Sequence, residues 1–243
     1  MSRVVETPAE LKNGVITSTM SRQDIVEHVM QRGDLVILKH AFADEAMTAV
    51  RTAVADWGRS LDAADVDDFT GNYHRRRVHV ARIQQAPHVF HDYNFNDLAA
   101  LPAELQATLR GLFEPLRELY NALTGANVQF EIPEAGPYVH PQLIHYPSGG
   151  GFFARHWHNL APQKLGFIVS MARRGRDFRN GGTCFEIDGE VVDTEAHQEI
   201  GDILVWRYDH HHWVTQSDLR DKFDWNSDAG RWVATFAYFD PKA

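Results

Sequence analysis

The strongest constraint on the fold lies in the second part of the chain. From Pro141 onward, short β-rich runs follow one another: QLIHY, FFARHWHN, LGFIVSM, TCFEI, EVVD, DILVWRY, HWVTQ and RWVATFAYF. Gly, Pro, Asn and Asp punctuate them. Many short strands at close spacing point to a sandwich or barrel, because a parallel α/β sheet would interpose a helix between successive strands.

The first part has a different texture. Residues 21–32, SRQDIVEHVMQR, open with Ser21 and carry Asp24 three positions later, a capping-box pattern for a helix. DLVILKHAF then reads as a buried strand. Asp44 is placed to cap the next helix, whose Met47, Val50, Val54 and Trp57 fall at helical spacing. After Pro102, Leu105, Leu109, Leu112, Leu116, Leu119 and Leu123 alternate steps of four and three, which makes a core-facing seam. The basic run HRRRVHVAR, residues 74–82, reads as the solvated face of a strand, with an anchor for an acidic substrate as the alternative. The expected organisation is a single α+β domain. Helical support spans about 1–135 and a β core about 136–243.

Composition narrows the function. A length of 243 residues fits one sizeable domain. A net charge of -9 leaves no basic excess to neutralise a nucleic-acid backbone. The single Cys184 allows neither an internal disulfide nor a thiolate metal cluster. The N-terminus lacks the apolar core of a signal peptide, and no run approaches the ~20 apolar residues of a membrane span. The expectation is a cytoplasmic protein with no membrane partner; its oligomeric state is open.

Histidine is the unusual component, with 14 copies, five of them in HWH (156–158) and HHH (210–212). Successive strand side chains point to opposite faces, so His156 and His158 share one face while Trp157 points away. Two imidazoles at i and i+2 can grip one ion, with a third ligand from another strand. His212, at the start of the HWV run, is the candidate. A pair of histidines alone is as compatible with ordinary packing.

The surrounding residues tip that balance. YPSGGGFFARHWHN resembles the metal-binding segment of the iron(II)/2-oxoglutarate oxygenases, in particular the prolyl-hydroxylase-like branch. NGGTCFEI, GDILVW, HWV and GRWVATFAYFD resemble that family's Gly-Gly strand, Gly-Asp strand, distal His-X-Val and closing strand, in the family's order. The resemblance implies a double-stranded β-helix (cupin-like jelly roll) and an oxygenase using Fe(II), with 2-oxoglutarate and O2 as co-substrates. It implies His156 as the first metal ligand and His212 as the distal one. Arg231 would pair with the distal carboxylate of 2-oxoglutarate, since a guanidinium fork donates two parallel hydrogen bonds. Arg220 is its rival. Tyr146 would reach the co-substrate through its hydroxyl, and Gln142 shares its strand face.

One position departs from the family. Where the two-histidine, one-carboxylate triad has its acid, this chain has His158. His158 as a third ligand is the leading expectation. An open metal position filled by water or halide, and a site without metal, are the alternatives. His210 and His211 are expected to support a ligand or to be structural, with either able to replace His212 as ligand if a bulge shifts the register, and His145 is expected to face away from the site. The implied reaction oxidises a C–H bond of a small-molecule substrate, with a peptide or protein substrate left open. A three-histidine dioxygenase that does not use 2-oxoglutarate and a non-catalytic jelly-roll binding protein are the competing readings.

Overall fold

The computed structural model describes residues 3–61, 71–79, 86–130 and 136–239. Its strands are β1 (Val4–Lys12), β2 (Val15–Ser18), β3 (Leu35–Lys39), β4 (Tyr73–His79), β5 (His88–Asn94), β6 (Tyr138–Pro147) and β7 (Phe152–His156). They continue with β8 (Leu165–Ser170), β9 (Gly182–Ile187), β10 (Glu190–Asp193), β11 (Ile203–Arg207), β12 (His211–Thr215) and β13 (Gly230–Phe239). Each run marked in the sequence after Pro141 contributes a strand. The order across the sheet is β10-β9-β12-β7-β5-β6-β13-β8-β11-β3-β1-β2, with β4 added on β5. All pairings among these strands are antiparallel except that of β1 with β3.

Period-two alternation gives this sheet two apolar faces. On one face, Leu35, Ile37, Ile168, Leu204, Trp206, Val233, Tyr146 and Phe90 cluster with Phe185, Ile187 and Val214 of the β9–β12 end. Strands far apart in the sheet order therefore meet through their inner faces, as in a jelly roll. The opposite face, carrying Val36, Leu38, Phe167, Val169, Val205, Trp232 and Ala234, packs against the helices. Neighbours in sequence consequently serve different cores: Trp232 belongs to the helix-backed layer while Arg231 and Val233 belong to the barrel interior.

The helices follow the sequence with one correction. Ser21 caps α1 (Arg22–Val26) by accepting from the Asp24 amide at 3.1 Å, and its hydroxyl donates to Asp24 at 2.7 Å. The helix runs on as a π-helical turn over Glu27–Arg32. Asp44 is not the cap of α2 (Asp44–Ser60); Ala43 holds that place, and Asp44 sits in the first turn, where its carboxylate accepts from Thr48 and Arg176. An acid there still complements the helix dipole. In α3 (Ala103–Thr124) all six seam leucines are buried. The first part also supplies β1, β2, β4 and β5, so its role exceeds helical support: β5 joins the two ends of the sheet by pairing with β6 and β7.

Candidate metal and co-substrate site

His156 and His212 stand directly opposite each other on the antiparallel pair β7–β12. The register shifts between His212 and Val214, so that Phe153 and His156 both face inward although they are three residues apart. His158 lies just beyond the end of β7, and its ring stacks on Tyr208 at 4.4 Å. The three histidines offer ligand atoms that all lie within 4.8 Å of one another, the one such convergence of three His, Cys, Asp or Glu side chains among the described residues. Imidazole nitrogens at ~2.1 Å from one ion stand about 3 Å apart when adjacent. The triad is therefore slightly open.

The tautomers suit a metal. His156 Nδ1 donates to the Ala154 carbonyl at 2.8 Å and His212 Nδ1 to that of His210 at 2.9 Å. Each Nε2 is thereby left as a bare lone pair, the form that ligates. Burial, and then the neighbouring histidine, pushes His158 down to about 4 and His212 well below the ordinary range. Burial likewise lowers His156. At neutral pH the donor set is three uncharged imidazoles, which fits a borderline divalent ion such as iron(II).

Arg231 lies deeper in the barrel and is 1% exposed. Its register partner across β13–β6 is Tyr146, whose ring lies 5.9 Å from the guanidinium carbon. The Nε of Arg231 donates to the buried carboxylate of Glu195, which also accepts the Thr183 amide at 3.1 Å. Gly182 makes room for this acid: its φ is +135°, and a Cβ there would overlap Glu195 Cγ. Both terminal nitrogens of Arg231 are buried without a partner, and so are Thr183 Oγ1 and Trp206 Nε1. Trp206 packs edge-on against His212. Four orphaned polar atoms in this interior mark the space of a polar ligand, since buried donors otherwise find acceptors. Burial raises the Tyr146 phenol and Arg231 pulls it back, so it remains a neutral donor.

Gln142 occupies the same face of β6 as Tyr146 but is tied elsewhere. Its Nε2 donates at 2.6 Å to Asp92, a fully buried carboxylate on β5. Asp92 in turn neutralises Arg75 of β4. The basic run thus divides by alternation: Arg76 and Val78 face solvent, while Arg75 and Arg77 turn toward β5 and the barrel. Glu195 and Asp92 went unnoticed in the sequence. Isolated acids carry no local signal that a cation from a distant strand will sit on them.

His210, His211 and His145 lie outside the triad, and His211 stands opposite Glu186 of β9. His210 precedes β12 and bonds the Gly33 carbonyl at 3.0 Å. His145 stacks at 4.2 Å on Trp232, on the helix-backed face. Arg220 is exposed.

No protein-family model matches the sequence, and neither does any curated protein. Solved structures match over most of its length. A prolyl hydroxylase from Trichoplax adhaerens, in complex with a hypoxia inducible factor oxygen degradation domain peptide fragment, aligns with a TM-score of 0.58 at 14% identity, covering 91% of each chain. A Pseudomonas putida prolyl-4-hydroxylase aligns with a TM-score of 0.56 at 14% identity, over 90% of this chain and 98% of that one. EctD from S. alaskensis, with 2-oxoglutarate and 5-hydroxyectoine, gives 0.54 at 13% identity over 97% and 83%. The chain has the double-stranded β-helix fold of the 2-oxoglutarate oxygenases. No helix among the described residues is long and apolar enough to cross a membrane.

Proposed function

We propose that this protein is a non-haem iron(II) oxygenase that consumes 2-oxoglutarate and O2 to oxidise a C–H bond of a small molecule. His156, His158 and His212 hold the metal. The observation that carries the reading is the unpartnered fork of Arg231, buried beside the triad with the free donors of Thr183 and Trp206. A fork of that geometry takes a carboxylate, and a keto acid needs one end on such a fork and the other on a metal. A dioxygenase that dispensed with 2-oxoglutarate would leave the two terminal nitrogens of this fork buried and unpaired, at a cost of about 1–3 kcal/mol each.

Charge supports the same reading. Iron(II) on three neutral imidazoles keeps +2, the Arg231–Glu195 pair is neutral, and dianionic 2-oxoglutarate brings the whole to zero. An aspartate at 158 would bring the same sum to -1. Bound iron and keto acid supply O2 activation and the oxidant for the C–H bond. In hydroxylation, substrate, 2-oxoglutarate and O2 give alcohol, succinate and CO2. The residues of this chain anchor and orient: Arg231 and Tyr146 hold the distal carboxylate, and the histidines fix the metal. Phe90, Phe153, Phe185 and Val214 line the interior and exclude water.

The test is anaerobic titration of 2-oxoglutarate into iron(II)-reconstituted protein, followed by succinate release on admitting O2. One keto acid per metal and iron-dependent succinate are expected. A metal-loaded protein that binds no 2-oxoglutarate would sink the proposal.

A further inference from the structure

Asp92 is saturated. One of its oxygens accepts from Arg75 Nε at 2.8 Å and lies 2.7 Å from an Arg75 terminal nitrogen. The other accepts from Gln142 at 2.6 Å and from Asn94. A carboxylate offers about four lone-pair sites, and these four contacts fill them.

Arg77 is the cation left over. Its nearest terminal nitrogen stands 3.8 Å from Asp92, too far for a hydrogen bond, and its guanidinium lies 5.1 Å from the centre of the Phe90 ring. Among the described residues it makes no hydrogen bond at all. Only a quarter of its side chain is exposed. Burial, and Arg75 beside it, disfavour its charge, with Asp92 opposing. An arginine stays charged under any such shift, so among the described residues the barrel-facing side of this strand carries one uncancelled positive charge and five unused donors.

Its position relative to the metal site is defined by rings. Phe90 contacts Phe153 at 5.5 Å, and Phe153 stacks on His156 at 4.0 Å. His88 joins the same group, edge-on to Phe153. From the triad outward, an apolar wall two phenyl rings wide thus ends at a cationic fork. With iron and keto acid bound, the charges of the described interior residues sum to zero without Arg77 and to +1 with it.

We infer that Arg77 anchors a carboxylate of the substrate, and that the substrate is a small organic acid whose apolar body lies along Phe90 and Phe153 with its far end at the metal. The assignment rests on the oxygenase reading for the reaction at that far end, but not for the binding. A monoanion matches a single uncancelled cation, and the planar fork matches a carboxylate. An amide or alcohol would leave the guanidinium charge unopposed.

The experiment measures binding of benzoate and hexanoate, beside benzamide and hexanamide, to protein loaded with iron(II) and saturating 2-oxoglutarate without O2. Each acid is expected to bind about tenfold or more tightly than its amide, the size of a charge-assisted hydrogen-bonded pair. In Arg77→Gln the preference falls to within about twofold, while Arg77→Lys, which keeps the charge without the fork, retains part of it. Equal binding of acid and amide to the unmodified protein overturns the inference. So does an acid preference that survives Arg77→Gln, which would place the acid on the metal or on Arg231. A loss of 2-oxoglutarate affinity in Arg77→Gln as large as the loss for the acids also overturns it, because Arg77 would then belong to the co-substrate. Failure of the unmodified protein to bind 2-oxoglutarate counts against the oxygenase reading alone, and the acid-amide comparison then proceeds on the metal-loaded protein.

Discussion

Two histidine clusters lie on opposite faces of the sheet, and only one of them is arranged to bind a metal. His74, His91 and His145 stack nearly parallel, at interplanar angles of 20° and 14°. Both nitrogens of His74 are engaged, with the Gly58 carbonyl and with His91 Nδ1, and His145 Nε2 bonds the Ala229 carbonyl; of these, His91 Nε2 alone is buried without a partner among the described residues. Imidazole lone pairs lie in the ring plane, and in this cluster His74 and His91 point theirs at each other in a 2.8 Å hydrogen bond. His156, His158 and His212 are tilted by 84°, 57° and 40° to one another, and their nitrogens converge. Residue type does not separate the two clusters. Ring tilt and the convergence of three ligand nitrogens do.

The sharpest way to break this comparison is to delete one histidine from each cluster. His212→Ala is expected to weaken metal binding by more than about 100-fold, beyond the effect of losing a supporting partner of a ligand. His91→Gln should leave metal content unchanged and cost about 1–3 kcal/mol of stability, because it disrupts a buried hydrogen bond. Metal analysis and thermal unfolding of both proteins decide it. If His91→Gln lost the metal, the assignment of the two clusters would be wrong.

Next in size is the arginine within the barrel. Arg231→Leu strands Glu195 and removes the fork, so the 2-oxoglutarate requirement should rise by an amount equivalent to about 2–5 kcal/mol. Arg220→Leu, on the surface, should change it by less than about twofold. Equal effects would show that the keto acid binds elsewhere.

Acid acts on both clusters, because burial lowers the histidines of each. Burial pushes His145 down to about 3, against an ordinary value of 6.5. The folded protein therefore refuses a proton that the unfolded chain accepts below pH 6.5. This contribution to stability is complete above pH 6.5 and is lost as pH falls toward 3. For His145 it amounts to about 2 kcal/mol by pH 5. His145→Gln should flatten the dependence of metal-free stability on pH between 7 and 5; an unchanged slope would count against a buried neutral imidazole.

The smallest expected effect concerns the histidine that stands where an acid was expected. His158→Asp should retain metal, since a carboxylate is a competent ligand, yet weaken keto-acid binding by about tenfold through the extra negative charge at the metal that the dianion must approach. The shorter side chain also places its oxygen less well. Undiminished 2-oxoglutarate affinity and turnover in this variant would show that His158 is a neutral replacement for an acid.

What the sequence determined by itself is local. Alternation marked each strand after Pro141, the leucine spacing marked α3, and the order of short motifs put His156, His158, His212, Arg231 and Tyr146 in one frame. All of this rests on periods of two and 3.6 residues, which neighbours in the chain set. Tertiary structure decided what closing the sheet brings together. The shifted register opposite β12 turns His156 inward with Phe153, and β9 and the turn after β10 bring Glu195 under Arg231. Pairing of β4 with β5 sends Arg75 and Arg77 inward, so the basic run is not simply a solvated face. Gln142 shows the same division: its face was legible from Tyr146, but its partner Asp92 sits on a strand whose place in the sheet no local pattern encodes. A one-residue change of register would reverse each of these assignments.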